Sequence, residues 1–415
     1  MPQETVGTSN NSFSDLITKE EAINLVKVIV SPNAELIDYK IRPYSDEKLG
    51  FSGSHQKLIL ESNKPGDSKN EVRSFFVKAM PYDISIQADY ASENGTFLKE
   101  TEFFRELVPL MIKNYKGEAW GPKCYLVKGK HCLVFEDLGP EGFSNSKDKF
   151  LDENCVMSAV ACIARLHASS LLAEELLNGK SLRELYPNIF EESEYRRTGR
   201  NYEWFVACID YLIVLAEEMG LDSSCLAKAC DRVFDVSIPS KTKRNVLSHG
   251  DLWSNNIIFD KANRCRLVDF QLMRYAPIAH DLMVLLYFCT PREFRESKEA
   301  QVIHHYYKIF QETLNLCDYK GQVPSFEELK QGVEEQRLPA LIIAAANFHM
   351  ILMDGKEVAE IMNDPKESEI YFFKERKRFV DKVMAQNLVY AKRVKDITRE
   401  MVEMSLKFDE FPKLT

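Results

Sequence analysis

Three side chains with oxygen donors lie close together in the middle of the sequence, at Asp251, Asn256 and Asp269. Short β-like runs at 257–259 and 266–268 predict a hairpin that brings Asn256 and Asp269 near each other. Hard oxygen ligands of this kind suit Mg²⁺, especially where phosphate groups complete the coordination. Phosphoryl transfer needs one carboxylate to orient an attacking hydroxyl, together with an Asn and an Asp to hold metal. The segment therefore predicts phosphoryl transfer at a magnesium site.

A structural interpretation competes, because Asp and Asn are also frequent in turns that carry no chemistry. Any one of the three residues fits that interpretation. The five-residue interval from Asp251 to Asn256 is, however, that of the kinase catalytic loop, and the motif at Asp269 follows in the expected order. The ordered pair of motifs favours the functional interpretation.

A lysine and a glutamate form a second candidate pair. Lys78 lies near the end of a predicted strand at 75–80, and Glu100 lies on the apolar stripe of a predicted helix at 96–111. A carboxylate on a buried stripe requires a compensating cation, and kinase sites use a Lys–Glu ion pair to place the phosphates. We therefore predict that Glu100 pairs with Lys78. The alternative is that Lys78 is a solvent-exposed edge lysine and Glu100 lies at the rim of the stripe.

Two further segments could contact a nucleotide through backbone groups. A loop rich in glycine and serine precedes a predicted strand at 57–60, and its amides could face phosphate. Its candidate residues are Gly50, Ser52, Gly53 and Ser54. An apolar strand at 132–135 runs into a boundary where Glu136 and Leu138 could meet an adenine ring. Both segments also fit ordinary turns and linkers, and the loop lacks the three-glycine and Walker patterns.

Two polar residues inside apolar helical segments have mainly structural interpretations. Asp281 opens an apolar helix at 282–288, where it is either a cap or a brace for the catalytic loop through hydrogen bonds. His167 lies on the apolar stripe of a helix at 154–177, and we interpret it as a core histidine whose hydrogen bonds are satisfied.

The element pattern divides the chain into a flexible tail at 1–14, a nucleotide-binding lobe at 15–137 and a catalytic and substrate-binding lobe at 138–415. The first lobe begins with a capping box at Thr18 and Glu21 and continues with short strands. After residue 138, long periodic helices dominate. The predicted fold class is therefore α+β, with a small sheet lobe, a larger helical lobe and a crevice between them.

Composition excludes several classes of protein. The formal net charge is −9 and the pI is about 5.6, which argues against a nucleic-acid or anionic-membrane partner. The first residues lack a signal-peptide pattern, and the ten cysteines include no Cys-x-x-Cys pair. The apolar stretch 338–353 is too short to span a membrane and predicts a buried helix. We expect a reduced, cytoplasmic chain.

Several motifs now occur in one order along the chain. They are Phe-Val-Lys78, Phe97-x-x-Glu100, Phe135-Glu136-Asp137-Leu138, Ala164-Arg165-Leu166-His167-Ala168, His249-Gly250-Asp251-Leu252-Trp253-x-Asn255-Asn256 and Val268-Asp269-Phe270-Gln271. In this combination the chain resembles the ecdysteroid kinase-like proteins of insects and other arthropods, a branch of the choline-kinase-like and aminoglycoside-phosphotransferase-like group. The resemblance covers nearly the whole chain beyond the tail.

The resemblance implies a protein-kinase-like fold of two lobes, with ATP and Mg²⁺ as cofactors. Asp251 would then be the catalytic base, while Asn256 and Asp269 would hold magnesium. Lys78 would contact the phosphates and be positioned by Glu100. As structural supports, the resemblance implies His249 and Asp281.

The same resemblance implies transfer of the γ-phosphate to the hydroxyl of a small molecule. We expect an ecdysteroid or another steroid-like or xenobiotic alcohol. The alternatives are a choline-type amino alcohol and a catalytically silent kinase-fold binding protein. A protein acceptor is disfavoured because Gly250 stands where protein kinases carry Arg, and because the interval from Asp269 to Asp281 is short and lacks Ala-Pro-Glu. The oligomeric state is left open.

Overall fold

A computed structural model describes residues 16–45, 53–66, 69–80, 92–129 and 131–415. By packing, the chain separates into two compact units, one formed by Met1–Ala91 with Pro122–Glu141 and the other by Ser92–Gly121 with Gly142–Thr415. The lobe predicted at 15–137 therefore includes a segment, 92–121, that packs with the larger unit. The tail predicted at 1–14 lies outside the described residues.

The smaller unit is built on a five-stranded antiparallel sheet. Its elements are α1 (Lys19–Ile29), β1 (Glu35–Pro43), β2 (Ser54–Asn63), β3 (Glu71–Ala79), β4 (Cys124–Lys128) and β5 (Cys132–Glu136). The strand order is β1-β2-β3-β5-β4, so β3 lies at the centre of the sheet. Lys78 on β3 pairs with His55 of β2 on one side and with Leu133 of β5 on the other.

Helix α1 covers one face of this sheet. The side chain of Thr18 accepts a hydrogen bond from the Glu21 N–H and the Glu21 side chain returns one, so the predicted capping box starts the helix. Leu25 and Val26 of α1 pack on the period-two apolar residues of β2 and β3, among them Leu58. This burial ties the N-terminal helix to the centre of the sheet.

The larger unit is mainly helical. The α-helices among its described residues are α2 (Thr96–Glu102), α3 (Val108–Lys113), α4 (Glu153–Glu175), α5 (Leu182–Leu185), α6 (Gly199–Glu218), α7 (Leu226–Cys230), α8 (Ala279–Cys289), α9 (Arg292–Leu316), α10 (Phe326–Ile351), α11 (Gly355–Met362), α12 (Pro365–Phe373), α13 (Lys377–Gln386) and α14 (Leu388–Ser405). A π-helical segment, Phe103–Leu107, joins α2 to α3. The predicted buried helix at 338–353 is the second half of α10, which contains Pro339. With the sheet in the other unit, these helices confirm the α+β class.

Short strands of the larger unit carry the predicted motifs. They are β6 (Ser144–Asn145), β7 (Asn245–Ser248), β8 (Ile257–Phe259), β9 (Cys265–Leu267) and β10 (Arg274–Pro277). β8 and β9 form the predicted hairpin, and β7 pairs with β10 in antiparallel register. The β7–β10 pair therefore fixes both ends of the segment from 249 to 273, and the β8–β9 hairpin lies within that segment.

Helix α4 forms the centre of the larger unit. By length and composition it could cross a membrane, yet 78% of its most apolar window is buried inside the protein. Burial of this kind is what the core helix of a globular unit shows.

An aromatic cluster explains why segment 92–121 packs with the larger unit. The Phe103 ring stacks on Phe270 with centroids 4.8 Å apart, and Phe104 and Trp120 meet Phe270 edge-on. The Trp120 carbonyl also accepts a hydrogen bond from the Leu267 N–H at 2.8 Å. Aromatic pairs of this type add to the free energy of burial. The cluster therefore anchors α2 directly beside the Asp269 motif.

Candidate active site

Asp251 and Asn256 are joined directly within the catalytic loop. The Asn256 Nδ2 donates to the backbone carbonyl of Asp251 at 2.9 Å and to its Oδ2 at 2.7 Å. A single 3₁₀ turn, Ser254–Asn256, gives the five-residue interval this geometry. Asn256 is buried, while Asp251 is only partly so. The loop therefore holds the Asp251 carboxylate in one orientation.

Asp269 reaches the same place through the β8–β9 hairpin. The Val268 N–H donates to the Asn256 carbonyl at 3.0 Å, so the two motifs lie side by side. Asp269 adopts a left-handed backbone conformation, with φ of 69°. Non-glycine residues rarely occupy this region, and such positions cluster at functional sites. The structure thus brings Asp251, Asn256 and Asp269 together.

Negative charge is concentrated around Asp251. Burial, followed by the charges of Glu194 and Asp269, raises the Asp251 pKa to about 8, against the opposing effects of the Asn256 hydrogen bond and Arg274. Two carboxylates and an amide oxygen are the donor types that Mg²⁺ takes, and a cation would relieve this repulsion. In the described part of the chain no cluster of three or more His, Cys, Asp or Glu side chains could hold a metal by itself. Asn256 and Asp269 would therefore hold a magnesium ion only together with oxygen ligands from outside the chain, such as phosphate and water.

Asp281 holds the start of the loop at 249–256 through hydrogen bonds to its backbone. Its Oδ2 accepts the His249 N–H at 2.6 Å and its Oδ1 accepts the Gly250 N–H at 3.0 Å. His167 Nε2 lies 3.0 Å from Oδ2, and its Nδ1 lies 2.7 Å from the Tyr306 hydroxyl. All four side chains of this network, Asp281, His167, His249 and Tyr306, are fully buried.

The pKa of Asp281 follows from these contacts. Burial alone would raise it, but the hydrogen bond from His167 and the nearby histidines hold it down to about 2. The group is therefore an ionised carboxylate at neutral pH. Such a charge is stable inside the protein because it accepts several hydrogen bonds.

His249 links the loop to the hairpin. Its Nε2 lies 2.9 Å from the Val268 carbonyl, and its Nδ1 lies 3.3 Å from the Asp251 N–H. These partners require Nε2 to donate and Nδ1 to accept, so one tautomer satisfies both. The imidazole ring also packs on Phe270 with centroids 4.6 Å apart.

Glu100 contacts the Asp269 motif from α2. Its Oε1 accepts the Phe270 N–H at 3.1 Å, and its Oε2 accepts from Gln271 Nε2 at 3.4 Å. Glu100 is 1% exposed, as its place on the apolar stripe predicts. Lys78, in the smaller unit, is likewise buried. The ion pair between Lys78 and Glu100 stays a prediction.

The candidate nucleotide residues of the smaller unit divide into three groups. Gly50 and Ser52 lie outside the described residues. A Cβ on Gly53 would lie 3.2 Å from His55 Nε2 and 3.3 Å from Lys78 Cε, so glycine fits here without displacing either side chain. The Ser54 hydroxyl accepts from Gln56.

Some backbone groups of the segment predicted to contact adenine already make hydrogen bonds within the protein. The Glu136 N–H donates to the Lys123 carbonyl, and the Leu138 carbonyl accepts the Glu141 N–H. Asp137, between them, accepts from Tyr44 at 2.8 Å and from Ser74 at 2.6 Å, and pairs with Lys57 at 3.0 Å.

A buried ionic network beside Asp251 is absent from the sequence-based prediction. Arg274 is 4% exposed and makes a bidentate pair with Glu192, at 2.8 and 2.9 Å. Its Nη1 donates to the Gly250 carbonyl at 3.0 Å, and its Nη2 lies 3.4 Å from Glu194. One arginine thereby joins the catalytic loop to the segment that carries Glu194.

Helix α2 holds the same acidic segment from the other side. Lys99 is 5% exposed, and its Nζ donates to the Glu191 carbonyl and, at 2.5 Å, to the Ser193 hydroxyl. An arginine within the apolar run from Phe270 to Ala279, and a lysine beside Glu100, are the local signals that could have indicated these contacts.

The chain was compared with solved structures and with curated proteins. The chain is similar to the solved structure of a spectinomycin phosphotransferase in complex with ADP and spectinomycin, with 11% sequence identity, coverage of 94% of this chain and 99% of that chain, and a TM-score of 0.39. It is similar to a macrolide 2'-phosphotransferase from Brachybacterium faecium, with 9% identity, coverage of 86% of this chain and 97% of that chain, and a TM-score of 0.39. It is also similar to a Plasmodium vivax ethanolamine kinase, with 12% identity, coverage of 90% of this chain and 89% of that chain, and a TM-score of 0.39. A comparison with curated proteins found no match.

The family comparison covers all of the larger unit's motifs. A model of the ecdysteroid kinase-like family matches residues 51–319, which is more than half of the chain. The matched range includes Lys78, Glu100, Asp251, Asn256 and Asp269. On this basis the chain belongs to the ecdysteroid kinase-like family.

Proposed function

We propose that the protein transfers the γ-phosphate of ATP, with Mg²⁺, to the hydroxyl of a small molecule. The observation that carries the proposal is the hydrogen bond from Asn256 Nδ2 to Asp251 Oδ2. Asp269 lies beside this pair with a left-handed backbone conformation. Phosphoryl transfer is catalysed mainly by positioning and electrostatic stabilisation, and this set supplies both. When bound, Mg²⁺ would neutralise charge on the phosphates.

Asp251 is the group assigned to the acceptor hydroxyl. Its Oδ2 is fixed by Asn256, which leaves the carboxylate able to orient a hydroxyl along one direction. We assign it the proton that leaves the hydroxyl as the oxygen–phosphorus bond forms and ADP departs.

Lys78 and Glu100 are assigned to the phosphates. Lys78 is buried on the central strand, where Gly53 lies against its side chain. Glu100 accepts hydrogen bonds from the residues that follow Asp269. In this assignment Glu100 has two tasks: it positions Lys78 and it holds the Asp269 backbone in its left-handed conformation.

The segment after Asp269 supports a small acceptor. Protein kinases carry a long activation loop at this point, which docks peptide substrates. Here Arg274–Pro277 is instead a strand that pairs with β7, and α8 begins at Ala279. The described chain between these points is too short to form a peptide platform. We propose an ecdysteroid or another steroid-like or xenobiotic alcohol as the acceptor.

A second acceptor class, amino alcohols of the choline type, is favoured by one observation. Glu194 and Asp269 both add negative charge at Asp251, and Glu194 has a raised pKa because of burial and the charge of Glu192 despite Arg274. A cationic acceptor would be attracted by such a cluster. Neutral steroids lack a positive charge that this cluster could attract, which distinguishes the two acceptor classes.

The experiment is a Mg·ATP-dependent transfer assay on the full chain with two matched panels, one of neutral polyhydroxylated steroids and one of amino alcohols. Detection of a phosphorylated product by mass spectrometry is the expected result. Asp269→Ala should remove the dependence of ATP affinity on Mg²⁺, with Asp210→Ala as an exposed control. Tight Mg·ATP binding without transfer to any alcohol would instead support a silent binding protein.

A further inference from the structure

Lys149 contacts the catalytic loop, residues 249–256, from a segment outside the catalytic motifs. It is partly buried, and its Nζ donates to Asn255 Oδ1 at 3.0 Å. The same ammonium lies over the Trp253 ring, 5.4 Å from the ring centroid. Asn255 directly precedes Asn256, which is assigned to magnesium, and consecutive Cα atoms are about 3.8 Å apart. Lys149 therefore places a positive charge beside the neighbour of a proposed metal ligand.

The segment that carries Lys149 is tied to the protein on both sides of this residue. Before Lys149, strand β6 pairs with β8, and Asn145 Nδ2 donates to the Asn255 carbonyl at 2.7 Å. After it, the Leu151 N–H donates to the Cys289 carbonyl at 2.8 Å. A backbone that is held in this way limits the positions that the ammonium can take, which is what a catalytic group requires.

The charge of Lys149 is not matched by a close carboxylate. In the part of the chain that the structure describes, no ion pair involves Lys149, and its hydrogen bond goes to a neutral amide oxygen. Burial lowers the pKa of Lys149, and the charge of Asp354 opposes that effect. An ammonium has several N–H donors, of which Asn255 takes one. Lys149 thus has both the charge and the donors with which to contact an anion.

The catalytic loop lacks such a cation within its own sequence. Residues 249–256 contain neither lysine nor arginine. Arg274 contacts the loop at the Gly250 carbonyl, but its charge is matched by Glu192 and Glu194. The transition state of phosphoryl transfer spreads negative charge over the equatorial oxygens of the phosphoryl group. Cations aimed at that charge are among the largest contributions to catalysis, and Lys149 is placed beside this loop to supply one.

We infer that Lys149 is a further catalytic residue, whose ammonium contacts an equatorial oxygen of the γ-phosphoryl group during its transfer. The inference rests on the proposed phosphotransferase function. The bond from the acceptor oxygen to phosphorus forms as the bond from phosphorus to the β–γ bridging oxygen breaks, and ADP keeps the electron pair of the broken bond. The hydroxyl proton goes to Asp251. Lys149 stays protonated throughout and contributes its charge and a hydrogen bond.

The experiment measures the affinity of the full chain for Mg·ADP by calorimetry, without and with aluminium fluoride, an anion that mimics a phosphoryl group in transfer. No acceptor alcohol has to be known, because water takes its place. We expect aluminium fluoride to strengthen Mg·ADP binding to wild type. Lys149→Met should reduce that enhancement by about tenfold or more, while the affinity for Mg·ADP alone stays within about threefold of wild type.

Two further variants separate charge from structure. Lys149→Arg keeps the positive charge and should retain part of the enhancement. Lys147→Met is the matched control, because Lys147 is exposed and lies in the same segment, and it should retain the whole enhancement. Should Lys149→Met fail to fold, Lys149→Gln keeps a donor for Asn255 without the charge, and the same loss is expected of it.

Three results would overturn the inference, and they differ in what they leave standing. An enhancement in Lys149→Met equal to that of wild type would remove the contact with the phosphoryl group but leave the phosphotransferase proposal intact. An equal loss of affinity with and without aluminium fluoride would show that Lys149 only ties its segment to the loop. No enhancement in wild type would count against phosphoryl transfer itself, and the role of Lys149 would fall with it.

Discussion

The carboxylate of Asp281 holds the backbone of His249, with 2.6 Å between its Oδ2 and the His249 N–H. His249 in turn contacts the Val268 carbonyl at 2.9 Å through Nε2. The loop at 249–256 and the Asp269 hairpin are therefore fixed to each other through buried groups. Buried residues outside the Asp251–Asn256 pair thus help to set the position of Asp251.

Replacing Asp281 by asparagine should destabilise the protein at neutral pH. The substitution keeps the shape but removes a charge that accepts hydrogen bonds from two backbone amides and lies beside His167. The loss should be about 2–4 kcal/mol in the free energy of unfolding, measured with urea. Asp210→Asn, at an exposed position on α6, is the matched control. Equal stability of the two variants would contradict this account.

The same variant should change the pH dependence of stability. The Asp281 pKa is about 2 in the folded protein and near 3.8 when unfolded, so the carboxylate contributes stability that is present above pH 4 and is lost as pH falls towards 2. The difference in unfolding free energy between wild type and Asp281→Asn should be constant from pH 5 to 7 and shrink below about pH 4. A difference that grows on acidification would have the wrong sign.

Gly250 should not tolerate a side chain. Its φ is 81°, and a Cβ there would overlap the carbonyl oxygen of Leu272. We expect Gly250→Ala to cost about 3 kcal/mol or more in stability, since backbone strain and overlap add. Gly142→Ala is the matched control, because Gly142 has a φ of 88° and no atom within 4 Å of the added Cβ. Similar thermal unfolding of the two variants would remove the steric argument.

Glu100→Gln should slow turnover while Glu102→Gln leaves it nearly unchanged. Glu100 accepts the Phe270 N–H, whereas Glu102 is only partly buried at the end of α2. Loss of the carboxylate weakens the positioning of both Lys78 and Asp269 in our assignment, so we expect a decrease in kcat of about tenfold or more. The measurement is steady-state Mg·ATP turnover. An equal decrease in both variants would refute the helix-face argument.

Arg274→Lys should destabilise the catalytic loop. A lysine cannot reproduce the bidentate contact with Glu192 together with the contact to the Gly250 carbonyl, and it leaves buried carboxylates less compensated. We expect a loss of about 2–4 kcal/mol in the free energy of unfolding. Arg399→Lys, in an exposed pair with Asp396, should change stability by less than about 1 kcal/mol. A loss for Arg274→Lys no larger than that control would show that the network is dispensable.

Local sequence patterns predict the elements whose structure is determined by residues close to each other in the chain. The capping box at Thr18 starts α1, and the hairpin predicted at 257–259 and 266–268 is present as β8 and β9, displaced by one residue in the second strand. The central strand that carries Lys78 is also present, as β3. Period-two alternation and turn residues are properties of a single segment, so they can be recognised in the sequence without knowledge of tertiary contacts.

Elements that depend on distant partners were missed. Strand β1 was not predicted, because its residues are exposed or half-buried throughout and the strand lies at the sheet edge. The Arg274 network joins residues about 80 positions apart, as the pairs with Glu192 and Glu194 show. The π-helical segment at 103–107 likewise interrupts a helix that the apolar period predicts as continuous.

The most direct test of the central claim compares Asp251→Asn with wild type in a single-turnover assay with Mg·ATP and a phosphorylatable alcohol. The substitution preserves the shape and the contact with Asn256 but removes the group assigned to the hydroxyl proton. We predict that ATP affinity stays within about threefold of wild type while the transfer rate falls by about 10²–10⁴-fold. A transfer rate close to that of wild type in Asp251→Asn would contradict the account.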